Sequence, residues 1–466
     1  MARPTTAVVW FRRDLRVHDH PALAHALGRY DRIVPLFVVD DRILDGRWPS
    51  ANRRWFLAGA VRALSASLKA RGAGLAVLRG DPIALVPRVA AQVGASAIVA
   101  SRDYAPYGRR RDAAVAAAAG KRGIAFEAGR GLLVHEPDEL RRSDGAGFSV
   151  FSAFHRRWLD LSPRAIVEAP SEIRPGPRPR GSRPDVDGLL PDVTPTALLE
   201  HLPEPTEQAA RSRLHRWSGS AALHAYDRDR DRLDIDGSSR LSQDLRWGLL
   251  SPVEVLARCG SSGAGPARFR SELAWRDFYA HLLWDRPELA RRSARPELEL
   301  AWRRPDPDQV AAWMDGRTGY PVVDAAMRQL RATGWLPNRA RMIVASFLTK
   351  HLLVDWRIGE AYFMAHLLDG DPASNNGGWQ WVASTGVDAQ PPFRIFNPTL
   401  QGRRHDPEGT YVRRWVPELA GRPDLRGLDI HAPPRGAYLP PLVQHGPARA
   451  AALAAFAGLR RRQTDS

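Results

Sequence analysis

The segment 368–381 concentrates side chains that can hold a flat, polar ligand. It reads LDGDPASNNGGWQW, with two aspartates, two asparagines, three glycines and two tryptophans. A carboxylate and an amide can pair with ring N–H groups, indole rings offer stacking surfaces, and glycines let the backbone approach closely. A calcium loop would need the D-x-D-x-D-G pattern, which is absent here. The segment therefore predicts a site for an aromatic ligand.

Two further segments offer groups for phosphate and for charge. Residues 236–242 (DGSSRLS) place a glycine and hydroxyls before a helical run, where they can bind phosphate, although an ordinary capped turn has the same composition. In residues 269–279, helical spacing puts Glu272 one turn from Trp275 and Arg276. The alternative is an exposed ion pair beside a core tryptophan.

A third segment, 334–342, predicts a helix start at Pro337-Asn338, with Asn338 as the N-cap. Arg339 and Arg341 then project from the first turn, where positive charge opposes the helix dipole. A carboxylate or phosphate partner would offset that cost, so the pattern favours a functional role.

The elements that carry these segments fall into two classes. Residues 1–135 alternate apolar strand-like runs with helical patterns, which predicts a Rossmann-like parallel sheet covered on both faces. No G-x-G-x-x-G follows a strand, so a dinucleotide at the first crossover is not supported. The predicted strands are 6–10, 33–39, 75–78 and 97–100, and the predicted helices are 21–29, 50–71, 82–93 and 109–122.

The second half is mainly helical. Residues 136–206 are predicted to be an interdomain linker, because 160–206 are rich in proline, arginine and glycine. Residues 207–466 are predicted to form an all-α domain, with helical patterns over 268–284, 319–332, 339–355 and 359–368. The predicted fold is thus an α/β domain followed by an all-α domain.

Composition bounds the function. The 466 residues carry one cysteine, which excludes an intrachain disulfide and cysteine-based metal sites. The net charge of +17 is spread over both halves and comes mostly from arginine, which favours a polyanionic partner over a merely basic surface. The N-terminal residues lack a signal peptide's apolar core, and the longest apolar run, 113–119, is too short for a membrane span. A cytoplasmic location is expected.

Three long stretches resemble the cryptochrome/photolyase family, closest to the bacterial class I enzymes that repair cyclobutane pyrimidine dimers. They are VVWFRRDLRVHDHPAL, GRTGYPVVDAAMRQLRATGWLPNRARMIVASFLTK and DGDPASNNGGWQWVASTGVDAQPPFRIFNP. The resemblance implies an α/β antenna domain and a helical domain that holds FAD in a U-shaped conformation. It also implies that fully reduced anionic flavin, excited by light, lends an electron to a dimer that is flipped out of the DNA duplex.

The resemblance assigns a set of flavin contacts. Asn375 falls where photolyases place an asparagine against flavin N5, whereas plant cryptochromes tend to have aspartate and animal ones cysteine. An amide cannot donate a proton as aspartic acid can, which favours repair over signalling. The phosphate clamp comprises Tyr226, Ser238, Ser239, Arg240, Leu241 and Ser242. Phe269 occupies a position that is often tryptophan in relatives, and Arg341 and Asp369 form an ion pair beside the ring. Asp371 is the carboxylate that faces a ring N–H, and Arg276 and Asn375 complete the set.

The resemblance also assigns contacts to DNA and a path for electrons. Six-four photolyases carry histidines around Asn338, and their absence points to cyclobutane dimers. Glu272 and Asn338 are the polar contacts to the dimer. Trp275 and Trp381 are its stacking walls, with Met342 beside them, and Arg230 and Arg339 contact the phosphates. Trp379, Trp356 and Trp302 resemble the electron-transfer chain. Trp302 lies eleven residues before Trp313 where some relatives have ten, so a core role is its alternative.

The antenna is the main departure from folate-binding relatives, which carry a glutamate near Gly108. The PYGRRRD pattern favours 8-hydroxy-5-deazaflavin over methenyltetrahydrofolate, with an empty pocket or another flavin as alternatives. The pocket would be lined by Arg12, Phe37, Asp40, Asp103 and Arg246.

Two other functions compete with light-driven repair: a cryptochrome-like blue-light photoreceptor, and a flavoprotein that binds DNA without repairing it. The sequence ends at GLRRRQTDS, soon after the fold is expected to close, which favours the enzyme. We expect a monomer that binds dimer-containing DNA in the bacterial nucleoid and does not bind membranes.

Overall fold

The computed structural model describes residues 4–190, 193–422, 424 and 427–464, without the side chains of 300, 301 and 458–464. The chain divides into two compact units. The first unit comprises Met1–Pro195, Pro203–Ser220 and Ser239–Pro287, and the second comprises Thr196–Leu202, Ala221–Ser238 and Glu288–Ser466. The domain bounds derived from the sequence remain a prediction.

A five-stranded parallel sheet organises the first unit, in the order β3-β2-β1-β4-β5. Val8 of the central strand pairs with Val34 on one side and Ile98 on the other. The inner strands are buried along nearly their whole length, as expected for a sheet covered on both faces. The strands are β1 Thr6–Phe11, β2 Arg32–Val39, β3 Ala76–Arg79, β4 Ala97–Ser101 and β5 Ala125–Gly129.

Helices cover this sheet and make up almost all of the second unit. The α-helices are, in chain order, α1 Pro21–Arg29, α2 Asp41–Leu44, α3 Ala51–Lys69, α4 Pro82–Gln92, α5 Pro106–Gly120, α6 Phe151–Asp160, α7 Glu207–Ser218, α8 Ala221–His224, α9 Tyr226–Asp229, α10 Ser242–Trp247, α11 Pro252–Cys259, α12 Ala264–Asp285, α13 Pro307–Met314, α14 Pro321–Thr333, α15 Asn338–Ser346, α16 Trp356–His366, α17 Pro372–Ala383, α18 Pro398–His405, α19 Thr410–Trp415 and α20 His445–Thr464. Short 3₁₀ turns are Leu199–His201, Pro287–Ala290, Pro296–Ala301 and Pro417–Leu419, and Phe347–His351 forms a π-helical turn.

Local sequence explains several helix boundaries. Asp81 caps α4 by accepting the N–H of Ile83, and Pro82 occupies the first turn, where its missing N–H costs nothing. Helix α3 begins in the same way, with the Ser50 hydroxyl accepting the N–H of Arg53. None of the described helices is long and apolar enough to cross a membrane.

One apolar cluster forms the centre of the second unit. It combines residues of α14, α15, α16 and α17 and includes the fully buried Trp313 and Trp356. Because α17 also carries the segment with the two asparagines and two tryptophans, this cluster fixes the backbone of that segment.

The predicted fold class is confirmed, with differences in detail. The four predicted strands lie within one residue of β1 to β4. Strand β5 was not predicted, because this partly exposed edge strand has no continuous apolar run. The predicted helix over 339–355 was wrong in its extent: α15 ends at Ser346 and passes into the π-helical turn.

Candidate functional site

The first turn of α15 in the second unit carries two arginines that carboxylates neutralise. Arg339 Nη2 lies 2.5 Å from Asp231 Oδ2, and Arg341 Nη2 lies 2.7 Å from Asp369 Oδ2. The Arg341 Nε also donates to the backbone oxygen of Leu336 at 2.9 Å. These partners offset the unfavourable position of positive charge at a helix N-terminus.

The predicted cap of this helix was wrong. Pro337 is the N-cap residue, with extended backbone angles, and Asn338 is already the first helical residue, so its side chain cannot cap the helix. The exposed Asn338 side chain instead lies against Met342, with 3.6 Å between Nδ2 and Sδ. The amide of Asn338 and the thioether of Met342, which are both predicted to lie against the dimer, are therefore adjacent.

The loop before α17 contains a buried carboxylate oxygen to which no group among the described residues donates a hydrogen bond. Asp369 is 8% exposed, and its second oxygen, Oδ1, is buried without a hydrogen-bond partner among the described residues. An unsatisfied buried oxygen is costly, so this atom suits a ligand N–H. Asp371 instead caps α17, because its Oδ1 accepts the N–H groups of Ala373 and Ser374 at 2.9 and 3.0 Å.

Asn375 is held in a defined orientation inside α17. Its Nδ2 donates to the backbone oxygen of Glu360 at 3.1 Å, while the neighbouring Asn376 donates to Glu360 Oε1 at 2.9 Å. Gln380 donates to Asn376 Oδ1 at 2.8 Å and extends the network along the helix. With its N–H group engaged on the protein, Asn375 has its amide oxygen left as an acceptor for a ligand.

The tryptophans of the predicted electron chain belong to one part of the second unit. Trp356 and Trp379 lie in the same buried cluster, and Trp302 packs against its edge. Trp356 Nε1 donates to Ser293 Oγ at 3.1 Å, and Trp302 meets Phe456 edge to face at 6.3 Å. Trp381, predicted to stack on substrate, is only partly buried at the same cluster.

In the first unit, α12 presents Glu272 and Trp275 together. Arg268 Nη2 lies 3.3 Å from Glu272 Oε1, one turn earlier on the helix. Trp275 stacks on Phe151 of α6, with ring centroids 3.6 Å apart and planes 8° from parallel. Phe151 was missed by sequence reasoning, although its apolar spacing with Phe154 and Trp158 hints at a buried helix face. Phe278 and Tyr279 also contact the half-buried Trp275 ring, with centroids 5.6 and 5.4 Å away, so the ring is fixed within an aromatic cluster.

The remaining predicted flavin contacts lie at several places. In the first unit, Ser239, Arg240 and Leu241 precede α10, Ser242 begins it, and Arg240 has a left-handed φ of 50°. Phe269 is buried against Trp217, and Arg276 donates to the backbone oxygen of Leu132 at 2.7 Å. In the second unit, Tyr226 begins α9, Arg230 follows that helix with its guanidinium 5.8 Å from the Tyr226 ring centroid, and Ser238 lies further along the chain.

The predicted antenna residues contribute to a charged cluster at the carboxyl ends of the strands. Arg12 pairs with Asp112 at 2.6 Å, and Arg111 reaches Asp103 at 3.3 Å. Burial alone would raise the pKa of Asp103, but Arg13, Arg111 and Arg12 outweigh it and hold that pKa below its ordinary value. The cluster is thus a set of compensated charges in a buried setting.

Aromatic rings complete this antenna cluster. Arg12 and Arg111 both lie over the ring of Trp10, at 4.6 and 4.8 Å, and the Tyr107 hydroxyl donates to Asp40 Oδ2 at 2.5 Å. Sequence reasoning missed Trp10, Tyr107, Arg111 and Asp112, although the last three lie in or beside the PYGRRRD motif. Phe37 is buried in β2, and Arg246 lies over the Trp247 ring at 4.8 Å.

Two family models match the chain. The model described as DNA photolyase matches residues 7–173, and the one described as the FAD binding domain of DNA photolyase matches residues 269–458. A deoxyribodipyrimidine photo-lyase of Thermus thermophilus is 44% identical over 88% of this chain and 92% of its own length. One of Streptomyces griseus is 40% identical over 92% of each chain.

Solved structures agree with these matches. A class III photolyase from Agrobacterium tumefaciens has a TM-score of 0.89 at 35% identity and covers 99% of both chains. An archaeal photolyase from Sulfolobus tokodaii, described with two FAD molecules, has 0.84 at 31% identity, covering 97% of this chain and all of its own. A Synechocystis cryptochrome has 0.85 at 28% identity with the same coverage. The length and identity of these matches show that the chain belongs to the cryptochrome/photolyase family.

Proposed function

We propose that this protein repairs cyclobutane pyrimidine dimers in DNA with light. Two relatives named as deoxyribodipyrimidine photo-lyases are 44% and 40% identical over 88% and 92% of this chain. The observation that carries the proposal for this chain's own residues is Asn375. Its Nδ2 donates to the Glu360 backbone, so the group that it can offer to a bound flavin is an acceptor oxygen and no titratable proton.

The residues fit FAD as the resident cofactor. The unsatisfied Asp369 oxygen and the Asn375 amide oxygen are acceptors of the kind that the N–H groups of a reduced isoalloxazine need. Arg341, held by its ion pair with Asp369, is the proposed guanidinium neighbour of the ring. Asp371 is also proposed to face a ring N–H, and the other proposed contacts to the cofactor are Tyr226, Ser238, Ser239, Arg240, Leu241, Ser242, Phe269 and Arg276. When bound and reduced, FAD supplies a photoexcited electron to the dimer and recovers it, with no net redox change.

The protein's part in the reaction is to hold the dimer and stabilise its charge. Asn338 is proposed to donate its amide N–H, and Glu272 its carboxyl O–H, to the polar edges of the flipped dimer, where hydrogen bonds to a developing negative charge are worth about 3 kcal/mol in a dry site. Trp275, backed by Phe151, is proposed as one stacking wall, and Trp381 with Met342 as another. A ring already fixed by stacking loses little conformational freedom when the dimer binds.

Arg230 and Arg339 are proposed to position the damaged strand through its phosphates, which fixes register without reading sequence. Both share Asp231, whose carboxylate lies 3.5 Å from Arg230 and 2.5 Å from Arg339. A DNA phosphate must therefore compete with, or join, an existing ion pair. Trp379, Trp356 and Trp302 are proposed to carry electrons from the surface to oxidised flavin, because all three belong to or contact the same apolar cluster.

For the antenna we propose 8-hydroxy-5-deazaflavin rather than a folate. A Cβ atom at Gly108 would lie 2.2 Å from Asp103 Cγ, so a glutamate there would displace Asp103 from Arg111. The competing occupant is a second FAD, as in the Sulfolobus tokodaii neighbour. The absorption spectrum of the purified protein, after loading with each chromophore, distinguishes them: uptake of folate alone would contradict the proposal.

One assay tests the proposed function. Chemically reduced protein is mixed with DNA that contains one thymine dimer and is exposed to blue light, and dimer loss is compared with a dark sample. We expect repair only in light. Binding of the damaged DNA without light-dependent repair would contradict enzymatic function and support the photoreceptor or a non-repairing flavoprotein.

We further propose that the protein is a cytoplasmic, nucleoid-associated monomer, and gel filtration tests the oligomeric state.

A further inference from the structure

A cleft of about 610 Å³ lies within the first unit, apart from every residue proposed for flavin, antenna, DNA or electron transfer. Its walls come from the loop after β1, the end of α3, and helices α7 and α11. This volume is within the range of small-molecule sites, about 300–1,000 Å³. The cleft is therefore large enough for a ligand of nucleotide size.

Four arginines line the cleft, and three of them have no carboxylate partner among the described residues. Arg71 donates only to backbone oxygens, those of Pro170 at 2.9 Å and Ser67 at 2.7 Å, which hold the guanidinium without neutralising it. Arg216 and Arg258 are exposed, and their side chains make no hydrogen bond or ion pair within the part of the chain that the structure describes. Only Arg211 is paired, with its Nε 3.0 Å from Glu254 Oε1.

The two glutamates of the cleft are used by its own walls. Glu207 accepts the backbone N–H groups of Val17 and His18, each at 2.9 Å, and so ties the loop after β1 to the first turn of α7. The buried Glu254 binds Arg211 and lies 3.6 Å from His18 Nε2. The carboxylates thus brace the cleft, and the charge that remains for a ligand is positive.

We propose that this cleft binds a small ligand with at least two phosphate groups, such as a nucleoside diphosphate. A guanidinium matches two phosphate oxygens in a bidentate manner, and these hydrogen bonds are among the stronger ones in proteins. Three unneutralised guanidiniums around one cleft suit a multiply charged anion better than a single carboxylate. A concave site of this volume also favours a small molecule over the convex surface of a DNA duplex.

Calorimetric titration of the full chain with sodium pyrophosphate and with ADP, at low salt, tests the proposal. We expect saturable binding of both, weakened about tenfold or more by Arg216→Gln and by Arg258→Gln, because each removes charge-assisted hydrogen bonds. The matched control is Arg88→Gln, which removes an exposed arginine of α4 outside the cleft and should leave affinity unchanged. Equal affinities in all variants, or no binding to the unaltered protein, would overturn the proposal.

A second measurement separates this cleft from the repair reaction and from DNA. Light-driven dimer repair by both cleft variants should equal that of the unaltered protein. The cleft proposal does not depend on the repair function, so a failure of repair would leave the pyrophosphate test valid. If undamaged duplex binds more weakly to Arg216→Gln and Arg258→Gln while pyrophosphate affinity stays the same, the cleft is a nucleic-acid surface and the proposed ligand is wrong.

Discussion

The ring of Trp379 lies directly on the backbone of Gly359. A Cβ atom at position 359 would be 2.0 Å from Cη2 of that ring, which is closer than any real side chain allows. Trp356 lies three residues earlier on the same helix, so both positions share one helix face. The absence of a side chain at Gly359 thus lets the first indole of the proposed electron chain approach the helix that carries the second.

Gly359→Ala should displace Trp379 and slow the photoreduction of oxidised flavin. The overpacked side chain should also cost about 1–3 kcal/mol of stability. Transient absorption measures the electron transfer, and thermal unfolding measures the stability. Repair by chemically pre-reduced protein should be nearly unaffected, because that route bypasses the tryptophans. The control is Gly378→Ala in α17, where a Cβ meets nothing within 4 Å; unchanged photoreduction in Gly359→Ala would contradict the role of this contact.

These contacts also mark what the sequence could and could not predict. The strands β1 to β4 are continuous apolar runs, and the helices follow periodicity and proline caps, so local pattern was sufficient for them. The site segments were recognisable because their composition is unusual for core or surface. The stacking of Trp275 on Phe151 joins residues 124 positions apart, and Arg339 meets Asp231 across 108. Local periodicity contains no information on such long-range pairs.

Asp369→Asn should weaken FAD binding. The change removes the charged partner of Arg341 and the negative charge of a buried acceptor, Oδ1, that has no hydrogen-bond partner among the described residues. Because Arg341 is partly exposed, we expect a loss of about 2 kcal/mol, or about 30-fold in Kd. Reconstitution of apoprotein, followed by flavin fluorescence, measures this. Asp315→Asn, which affects only exposed ion pairs, is the control, and equal Kd values in the two variants would refute the assignment.

Glu272→Ala should slow repair more than it weakens binding to damaged DNA. A hydrogen bond to charge that develops during ring opening acts mainly on the reaction, so the repair rate should fall about 10²-fold while Kd changes several-fold at most. Glu272→Gln retains a hydrogen-bonding side chain and should recover part of the rate. Single-turnover repair and equilibrium binding give the two numbers. Equal losses in both would mean that Glu272 only binds.

Asp231→Asn should strengthen non-specific DNA binding. The carboxylate neutralises Arg339 and lies close to Arg230, and burial would raise its pKa were it not for the bond to Arg339, so it is ionised in the working range. Removing its charge frees guanidinium for phosphate. The slope of log K against log salt for undamaged duplex should steepen by about one unit for one more phosphate contact. An unchanged slope would show that Arg339 does not reach DNA phosphate.

Glu136→Gln should remove a pH dependence from the stability of the protein. Burial raises the pKa of Glu136 to about 7, despite the hydrogen bond from Tyr104 and the charge of Arg102, whereas in the unfolded chain it is ordinary at 4.5. The folded state therefore holds the extra proton between these values, and stability falls as pH rises from about 4.5 to 7.

Glutamine mimics the protonated carboxyl, so the stability of the variant does not fall in this way as the pH rises. The stability of Glu136→Gln relative to the native chain should increase by about 2–3 kcal/mol between pH 4.5 and pH 8, as measured by urea unfolding at each pH. Glu200→Gln, a substitution at an exposed glutamate far from Glu136 in the sequence, serves as the control and should show no such trend. A constant difference across this range would mean that Glu136 stays ionised in the folded protein, with Arg102 and Tyr104 compensating fully for its burial.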